Sequence, residues 1–206
     1  MLLVIGNKNY SSWSLRPWIA LKVLGIPFDE VRIPLYRPGS KERILGYSPA
    51  GKVPVLRDGD TVVWDSLAIL EHLAERHPQL WPTDRAERAQ ARAIAAEMHS
   101  GFAQLREHMS MNTRKRYPGK GRTPEVIKDI ERIDVIWTQA KEPFLFGAFT
   151  AADAMYAPVV LRFRTYEVEP RNKKYMQAVL DLPAMREWIE SAEREPESIP
   201  EQDLYG

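Results

Sequence analysis

The first 80 residues alternate between short apolar runs and longer amphipathic segments, a pattern typical of a small α/β domain. The apolar run at 2–5 and the alternating residues at 28–33 predict two strands. Residues 53–56 and 61–64, separated by Asp58-Gly59, predict a hairpin with a tight turn. The spacing of apolar positions predicts one helix that ends near Gly25 and a second that stops before Pro78. The order is therefore β-α-β, a loop or short helix, then β-β-α, with a mixed sheet.

The first predicted helix begins in a polar turn at 10–14. With Ser14 as its N-cap, Pro17 falls in the first turn, where the missing N–H breaks no hydrogen bond. Ligands of α/β sheets favour such turns beyond the carboxyl end of a strand, and hydroxyls beside a helix N-terminus favour an anion. A serine-rich helix cap explains the same residues, so the turn alone does not decide between a ligand site and a structural cap.

Strand patterns end at Asp84, and four helices are predicted after it, at 84–111, 125–140, 152–168 and 183–195. The chain therefore divides into an α/β domain at 1–78, a proline-containing linker at 79–86 and an all-helical domain at 87–206. The basic loop at 114–122 and the acidic stretch at 193–203 are both interpreted as solvated surface.

Composition excludes several classes of function. Lys plus Arg number 29 and Asp plus Glu 28, a balance that argues against partners such as nucleic acid or an anionic membrane. No apolar run approaches the roughly 18 residues of a membrane span. The absence of cysteine excludes a protein thiol nucleophile and thiolate metal sites, and the four histidines lack metal-binding spacing. We expect a soluble, cytoplasmic protein without a metal.

Two short motifs in the first domain suggest a ligand. Lys52-Val53-Pro54 enters a strand, and the proline removes a donor, so the backbone before it is easily left free to pair with an extended ligand. Asp65-Ser66 opens a helix, where Ser66 and the free amides can take a carboxylate while Asp65 takes an ammonium. A strand boundary and a helix cap explain either motif taken singly.

Together these motifs resemble the glutathione transferase family. Residues 49–56 and 65–69 are similar in residue type and spacing to its thioredoxin-like N-terminal domain. Thr150-Ala-Ala-Asp153 resembles the capping box of its helical domain. The resemblance implies a thioredoxin-like α/β domain followed by an all-α domain, and a homodimer that serves in detoxification.

The resemblance also implies that glutathione is the co-substrate and is bound in extended form. The backbone of Val53, before a cis Pro54, would pair with the cysteinyl unit. Asp65 and Ser66 would hold the γ-glutamyl ammonium and carboxylate, and Lys52 would approach the glycyl carboxylate.

The chemical task is then to keep the glutathione thiol ionised. A free thiol has a pKa near 8.5, so lowering it by about one unit already changes the reactive fraction. Ser11 is the predicted hydroxyl donor to sulfur, with Ser12 and Tyr10 as alternates. Residues 11–16 are similar to the Ser-Ser-Cys-Ser-x-Arg signature of the zeta class, with Trp13 in place of the cysteine and Pro17 departing from its continuation.

The electrophile is expected to bind between the domains, and the candidate residues are His99, Phe102, Arg106, Arg162 and Arg164. The predicted function is a glutathione transferase whose thiolate attacks an electrophilic small molecule. A zeta-type cis-trans isomerase is one alternative. A non-catalytic protein that keeps this fold for partner binding is the other.

Overall fold

A computed structural model describes residues 1–205 of the chain. Four short strands form one mixed sheet in the order β2-β1-β3-β4. The central strand β1 (Leu2–Ile5) pairs in parallel with β2 (Asp29–Arg32) and antiparallel with β3 (Val55–Asp58), which forms a hairpin with β4 (Thr61–Trp64). Leu3 of β1 lies opposite Leu56 of β3, and both are fully buried. The predicted hairpin is therefore present, and its first strand begins at Val55 rather than at residue 53.

Three helices complete the first domain: α1 (Ser12–Val23), α2 (Ser40–Leu45) and α3 (Ser66–Arg76). The prediction that Ser14 caps α1 is wrong, because the helix begins at Ser12 with Ser11 as its N-cap. The Ser14 hydroxyl instead accepts the backbone N–H of Gly6 at the end of β1, at 3.1 Å. Pro17 consequently lies inside the helix rather than in its first turn.

The second domain is helical, as predicted. After a short 3-10 helix at Pro78–Leu80 it contains α4 (Arg85–Ser100), α5 (Ala103–His108), α6 (Pro124–Thr138), α7 (Ala151–Tyr166), α8 (Lys173–Asp181) and α9 (Pro183–Glu193). Helix α7 is buried along most of its length and packs against both α1 and α4. The two domains therefore share one apolar core.

The single helix predicted at 84–111 is instead two helices. The break falls at Gly101-Phe102, where Phe102 adopts a left-handed conformation with φ of 58°. Phe102 is 7% exposed and belongs to the core, and the Leu105 amide at the start of α5 donates to the Asp129 carboxylate at 2.9 Å. Burial of Phe102 and the bond to Asp129 thus redirect a chain whose local composition favours one helix.

The acidic stretch at 193–203 is only partly solvated surface, because two of its residues, Glu195 and Ile199, are buried. The Glu195 carboxylate is buried and accepts the backbone N–H groups of Lys8 at 2.7 Å and Asn9 at 3.1 Å. Glu197 makes an ion pair with Arg32 at 2.9 Å. We call residues 195–205 the C-terminal segment. It is held against the loop between β1 and α1 and against the end of β2, because its acids accept from the amides of that loop and pair with the Arg32 cation.

The basic loop between α5 and α6 is also more than solvated surface. Arg114 donates to the backbone carbonyls of Glu195 and Glu197, both at 2.6 Å. Asn112 and Thr113 beside it are buried. The loop therefore clamps the C-terminal segment onto the first domain.

Across residues 1–205, the helices are all too short or too polar to cross a lipid bilayer.

Candidate active site

Two adjoining cavities lie between the domains and share Trp13, Lys52 and Val53. The smaller, of about 580 Å³, is completed by Ala50, Pro54, Trp64, Asp65, Ser66 and His99, and we call it the Asp65 cavity. The larger, of about 610 Å³, is lined by Ser11, Ser12, Arg106 and Arg162 among others, and we call it the Ser11 cavity. The fold thus brings most of the predicted site residues to one continuous cleft.

The loop before β3 presents free backbone to this cleft. The peptide bond between Val53 and Pro54 is cis. Within residues 1–205, Val53 forms no hydrogen bond to another backbone group. An extended ligand can therefore pair with it as a short added strand.

Asp65 has three partners within the protein and still lines the Asp65 cavity. Its φ is 75°, in the left-handed region, and its Oδ1 accepts the N–H groups of Leu67 at 2.9 Å and Ala68 at 3.4 Å. The other carboxylate oxygen lies 3.3 Å from Nε2 of His99 on α4. Asp65 therefore caps α3 and also supplies a negative charge at the junction of the domains.

Ser66 is fully buried, and its hydroxyl accepts a hydrogen bond from the Arg16 guanidinium at 3.2 Å. Arg16 stacks on the ring of Trp13, with its central carbon 4.2 Å from the ring centroid. Burial lowers the pKa of Arg16 well below its usual value, and Arg106 and Arg162 lower it further. Sequence reasoning missed Arg16, although it closes the 11–16 motif. A buried cation behind Ser66 favours an anion on the cavity side.

The three candidate thiol donors differ in their surroundings. The Ser11 hydroxyl lines the Ser11 cavity and lies 2.7 Å from the hydroxyl of Ser14. The Ser12 hydroxyl accepts a hydrogen bond from Arg162 at 3.4 Å. The Tyr10 hydroxyl donates to Asp203 of the C-terminal segment at 3.0 Å. The Tyr10 hydroxyl proton therefore already has a protein acceptor, whereas in the Ser11–Ser14 pair either hydroxyl can be the donor.

The candidate electrophile residues do not all line the same cavity. Arg106 and Arg162 line the Ser11 cavity, whereas His99 lines the Asp65 cavity. Among the described residues that line these cavities, neither Phe102 nor Arg164 occurs. Burial lowers the pKa of Arg162 to about 10, and its guanidinium donates to the Met109 carbonyl.

The lining of the Ser11 cavity is cationic. Its charged members are Arg37, Lys41, Lys52, Arg106 and Arg162, with no aspartate or glutamate among the lining residues in the described chain. A cavity lined by one sign of charge concentrates ligands of the opposite sign. In residues 1–205 no group of three or more His, Asp and Glu side chains is placed to hold a metal ion.

Comparison with known protein families defines the class of this chain. The glutathione S-transferase N-terminal domain profile matches residues 10–76, and the glutathione S-transferase C-terminal domain profile matches residues 85–191. The chain therefore belongs to the glutathione S-transferase family, as the sequence motifs predicted.

Individual relatives are more distant. The chain is 26% identical over 188 residues to the probable maleylacetoacetate isomerase of Caenorhabditis elegans, covering 86% of this chain and 87% of that protein. A Burkholderia glutathione transferase homolog, solved with bound glutathione, superposes with a TM-score of 0.72 at 20% identity, over 94% of this chain and 98% of that one. A bacterial zeta-class maleyl pyruvate isomerase superposes with a TM-score of 0.69 at 24% identity, over 97% of this chain and 100% of that one. These likenesses confirm the predicted fold.

Proposed function

We propose that this chain is a glutathione-dependent transferase that binds glutathione in the Asp65 cavity and presents its sulfur to the Ser11 cavity. The observation that carries the proposal is the wall shared by the two cavities, formed by Trp13, Lys52 and Val53. It joins a pocket with a carboxylate and a helix N-terminus to a pocket with hydroxyls and cations. A tripeptide thiol that spans the junction meets a complementary group at each end.

Each unit of glutathione has a proposed partner. The Asp65 carboxylate takes the γ-glutamyl ammonium, and Ser66, at the N-terminus of α3, takes the neighbouring carboxylate. The free backbone of Val53 pairs with the cysteinyl unit, and Lys52 approaches the glycyl carboxylate. The buried Arg16 guanidinium, 3.2 Å from the Ser66 hydroxyl, supports this direction of binding because it adds positive potential under the carboxylate.

Ser11 is the proposed activating residue. Its hydroxyl stands at the N-terminus of α1 and lines the Ser11 cavity. A hydrogen bond donated to sulfur, together with the positive end of the helix, stabilises the thiolate relative to the thiol. The thiol proton leaves to solvent, the thiolate forms a bond to an electrophilic carbon, and the leaving group departs with the displaced electron pair.

A second candidate activity is glutathione-dependent cis-trans isomerisation of an unsaturated carboxylate. The cationic lining of the Ser11 cavity favours it, as does the likeness to a probable maleylacetoacetate isomerase. In that reaction the thiolate adds to one carbon of the double bond, the resulting single bond rotates, and expulsion of the thiolate restores the double bond. Glutathione is regenerated, and arginines hold the carboxylates throughout.

Several expectations from the sequence stay predictions beside this proposal. They are a homodimer, a cytoplasmic location, a role in detoxification, and domain limits at 1–78, 79–86 and 87–206.

The non-catalytic alternative is separated from the proposed transferase by one measurement, the ultraviolet difference absorption of bound glutathione across pH. We expect a thiolate band that persists below the pKa of the free thiol. Binding without the band would indicate a glutathione carrier with Ser11 misassigned. No binding would favour an interaction protein.

A further inference from the structure

A buried row of three polar groups runs from the end of β1 to the Ser11 cavity. The Gly6 N–H donates to the Ser14 hydroxyl at 3.1 Å, and the Ser14 hydroxyl lies 2.7 Å from that of Ser11. Ser14 is fully buried, and Ser11 is 6% exposed. In the described chain the Ser11 hydroxyl caps none of the α1 amides. The two serines therefore do something other than cap the helix.

The chemistry of the row sets its direction. A backbone N–H only donates, so the Ser14 oxygen accepts from Gly6. The Ser14 hydroxyl hydrogen then needs an acceptor, and within residues 1–205 the Ser11 oxygen is the one its hydrogen bonds provide. The opposite direction would leave the buried Ser14 hydrogen without an acceptor, which costs more than a made hydrogen bond returns. With Ser14 donating, the hydrogen of Ser11 is free to turn toward the cavity.

We propose that Ser14 is a positioning residue for thiol activation, which orients and polarises the Ser11 hydroxyl so that it donates to the glutathione sulfur. This inference rests on the proposed function, since it needs glutathione sulfur beside Ser11. Successive hydrogen bonds polarise one another, so a Ser11 hydroxyl that accepts from Ser14 is a stronger donor than a serine alone. These hydrogen bonds favour the thiolate over the thiol because the Ser11 hydroxyl already points at the sulfur when the thiol ionises.

The test is the pH titration of the thiolate absorbance of glutathione bound to the full chain. Ser14→Ala is expected to raise the pKa of the bound thiol and lower the thiolate fraction roughly three- to tenfold, equivalent to about half to one pKa unit. Glutathione affinity at low pH, where the thiol is neutral, should change little. Ser14→Thr keeps a hydroxyl and should restore the wild-type titration. Ser100→Ala, which removes an exposed hydroxyl on α4, is the matched control.

A variant that combines Ser11→Ala with Ser14→Ala shows whether Ser14 acts through Ser11 or whether its loss disturbs the site in general. If Ser14 acts through Ser11, adding Ser14→Ala to Ser11→Ala should shift the titration no further. A full additional shift would overturn the proposal, as would an unchanged titration in a folded Ser14→Ala protein. Should Ser14→Ala fail to fold, Ser14→Cys and Ser14→Thr are compared instead. Because a thiol is a weaker hydrogen-bond donor than a hydroxyl, Ser14→Cys should give the higher pKa for the bound glutathione thiol. Equal pKa values in the two variants would overturn the proposal.

Failure of the proposed function has a different signature. A wild-type protein that binds no glutathione, or binds it without a thiolate band, overturns the proposed function and this inference together. A wild-type thiolate band that Ser14 substitutions do not move overturns this inference alone.

Discussion

The hydroxyl of Tyr10 donates a hydrogen bond of 3.0 Å to the carboxylate of Asp203 and accepts the backbone N–H of Ile199 at 3.2 Å. Tyr10 directly precedes Ser11, yet its hydroxyl is engaged by the C-terminal segment. We therefore expect Tyr10→Phe to keep the thiolate absorbance of bound glutathione, whereas Ser11→Ala removes most of it. Loss of the band in Tyr10→Phe with an intact band in Ser11→Ala would transfer the role to Tyr10.

Arg114 holds the C-terminal segment by two short hydrogen bonds to the carbonyls of Glu195 and Glu197. Arg114→Met should release the segment and make it more sensitive to limited proteolysis, because hydrogen bonds from a charged donor contribute about 1.5–3 kcal/mol each. Gln202 of the segment lines the Ser11 cavity, so glutathione turnover should become less selective for electrophile size.

Arg116→Met is the matched control for that variant. The Arg116 guanidinium bonds to the carbonyls of Thr113 and Lys115 within its own loop and makes no hydrogen bond to the C-terminal segment in residues 1–205. Its cleavage pattern should match the wild type. Equal proteolysis of both variants would mean that loss of loop charge, rather than the clamp, exposes the segment.

Asp65→Ala should weaken glutathione binding roughly 10- to 100-fold, the size of a charged hydrogen bond of about 1.5–3 kcal/mol. It should also lower the free energy of unfolding by about 0.5–2 kcal/mol, because the carboxylate caps α3 through Leu67 and Ala68. Isothermal titration and urea unfolding measure the two effects separately.

Asp84→Ala supplies the comparison. Asp84 caps α4 in the same way, accepting the N–H groups of Ala86 and Glu87, both at 2.9 Å, and it is not among the described residues of either cavity. Its loss should lower stability by a similar amount and leave glutathione affinity unchanged. Equal loss of affinity in the two variants would make cap stability, and not the Asp65 charge, the cause.

Asp153 makes stability depend on pH in a direction opposite to that of most acids. Burial raises the pKa of this carboxyl from 3.8 to about 6, against the opposing hydrogen bonds from Leu145 and Thr150. The pKa of Asp153 is higher in the folded state than in the unfolded state, so the folded state keeps its proton to a higher pH. The contribution of Asp153 to stability is therefore full below pH 3.8 and declines as pH rises through about 6.

Asp153→Asn should remove that decline from the pH series of urea unfolding, while its lost acceptor lowers stability at every pH by about 1–3 kcal/mol. Asp181→Asn is the control, because the ion pair with Arg186 lowers the pKa of Asp181 and gives the opposite slope. If the free energy of unfolding of Asp153→Asn had the same pH dependence as the wild type, Asp153 would not be the source of the decline.

The parts of the fold that local pattern governs could be predicted. Helices α6, α7 and α9 begin within one residue and end within two of the predicted bounds, because their apolar positions recur at helical spacing. Helix α8 was missed because Tyr175 and Val179 are its only buried residues among those described, too few to make a pattern.

Features that depend on distant partners could not be predicted. Glu195 is buried because it finds the amides of Lys8 and Asn9, and that pairing joins opposite ends of the chain. The same limit applies to the site. Motifs placed Asp65 and Ser66 at a helix start, but the buried Arg16 behind them emerges only once α1 packs against α3.

Arg162 and Arg164 were equivalent candidates in the sequence, and the structure separates them. Arg162 is buried and lines the Ser11 cavity, whereas Arg164 is half-buried. Burial lowers the pKa of Arg164, Arg116 lowers it further, and Glu193 opposes the shift. For a dicarboxylate electrophile we expect Arg162→Gln to lower kcat/KM roughly 10- to 100-fold, the loss of a charge-assisted hydrogen bond. Arg164→Gln should leave it near the wild-type value.

A neutral electrophile such as a chlorodinitrobenzene provides the second half of that comparison. Its turnover should change far less in Arg162→Gln, since it has no carboxylate for the guanidinium to bind. Equal losses for charged and neutral electrophiles would mean that Arg162 acts by holding Ser12 and the Met109 carbonyl in place, with which it already forms hydrogen bonds. Selective loss with the dicarboxylate would instead support an anionic substrate for the Ser11 cavity.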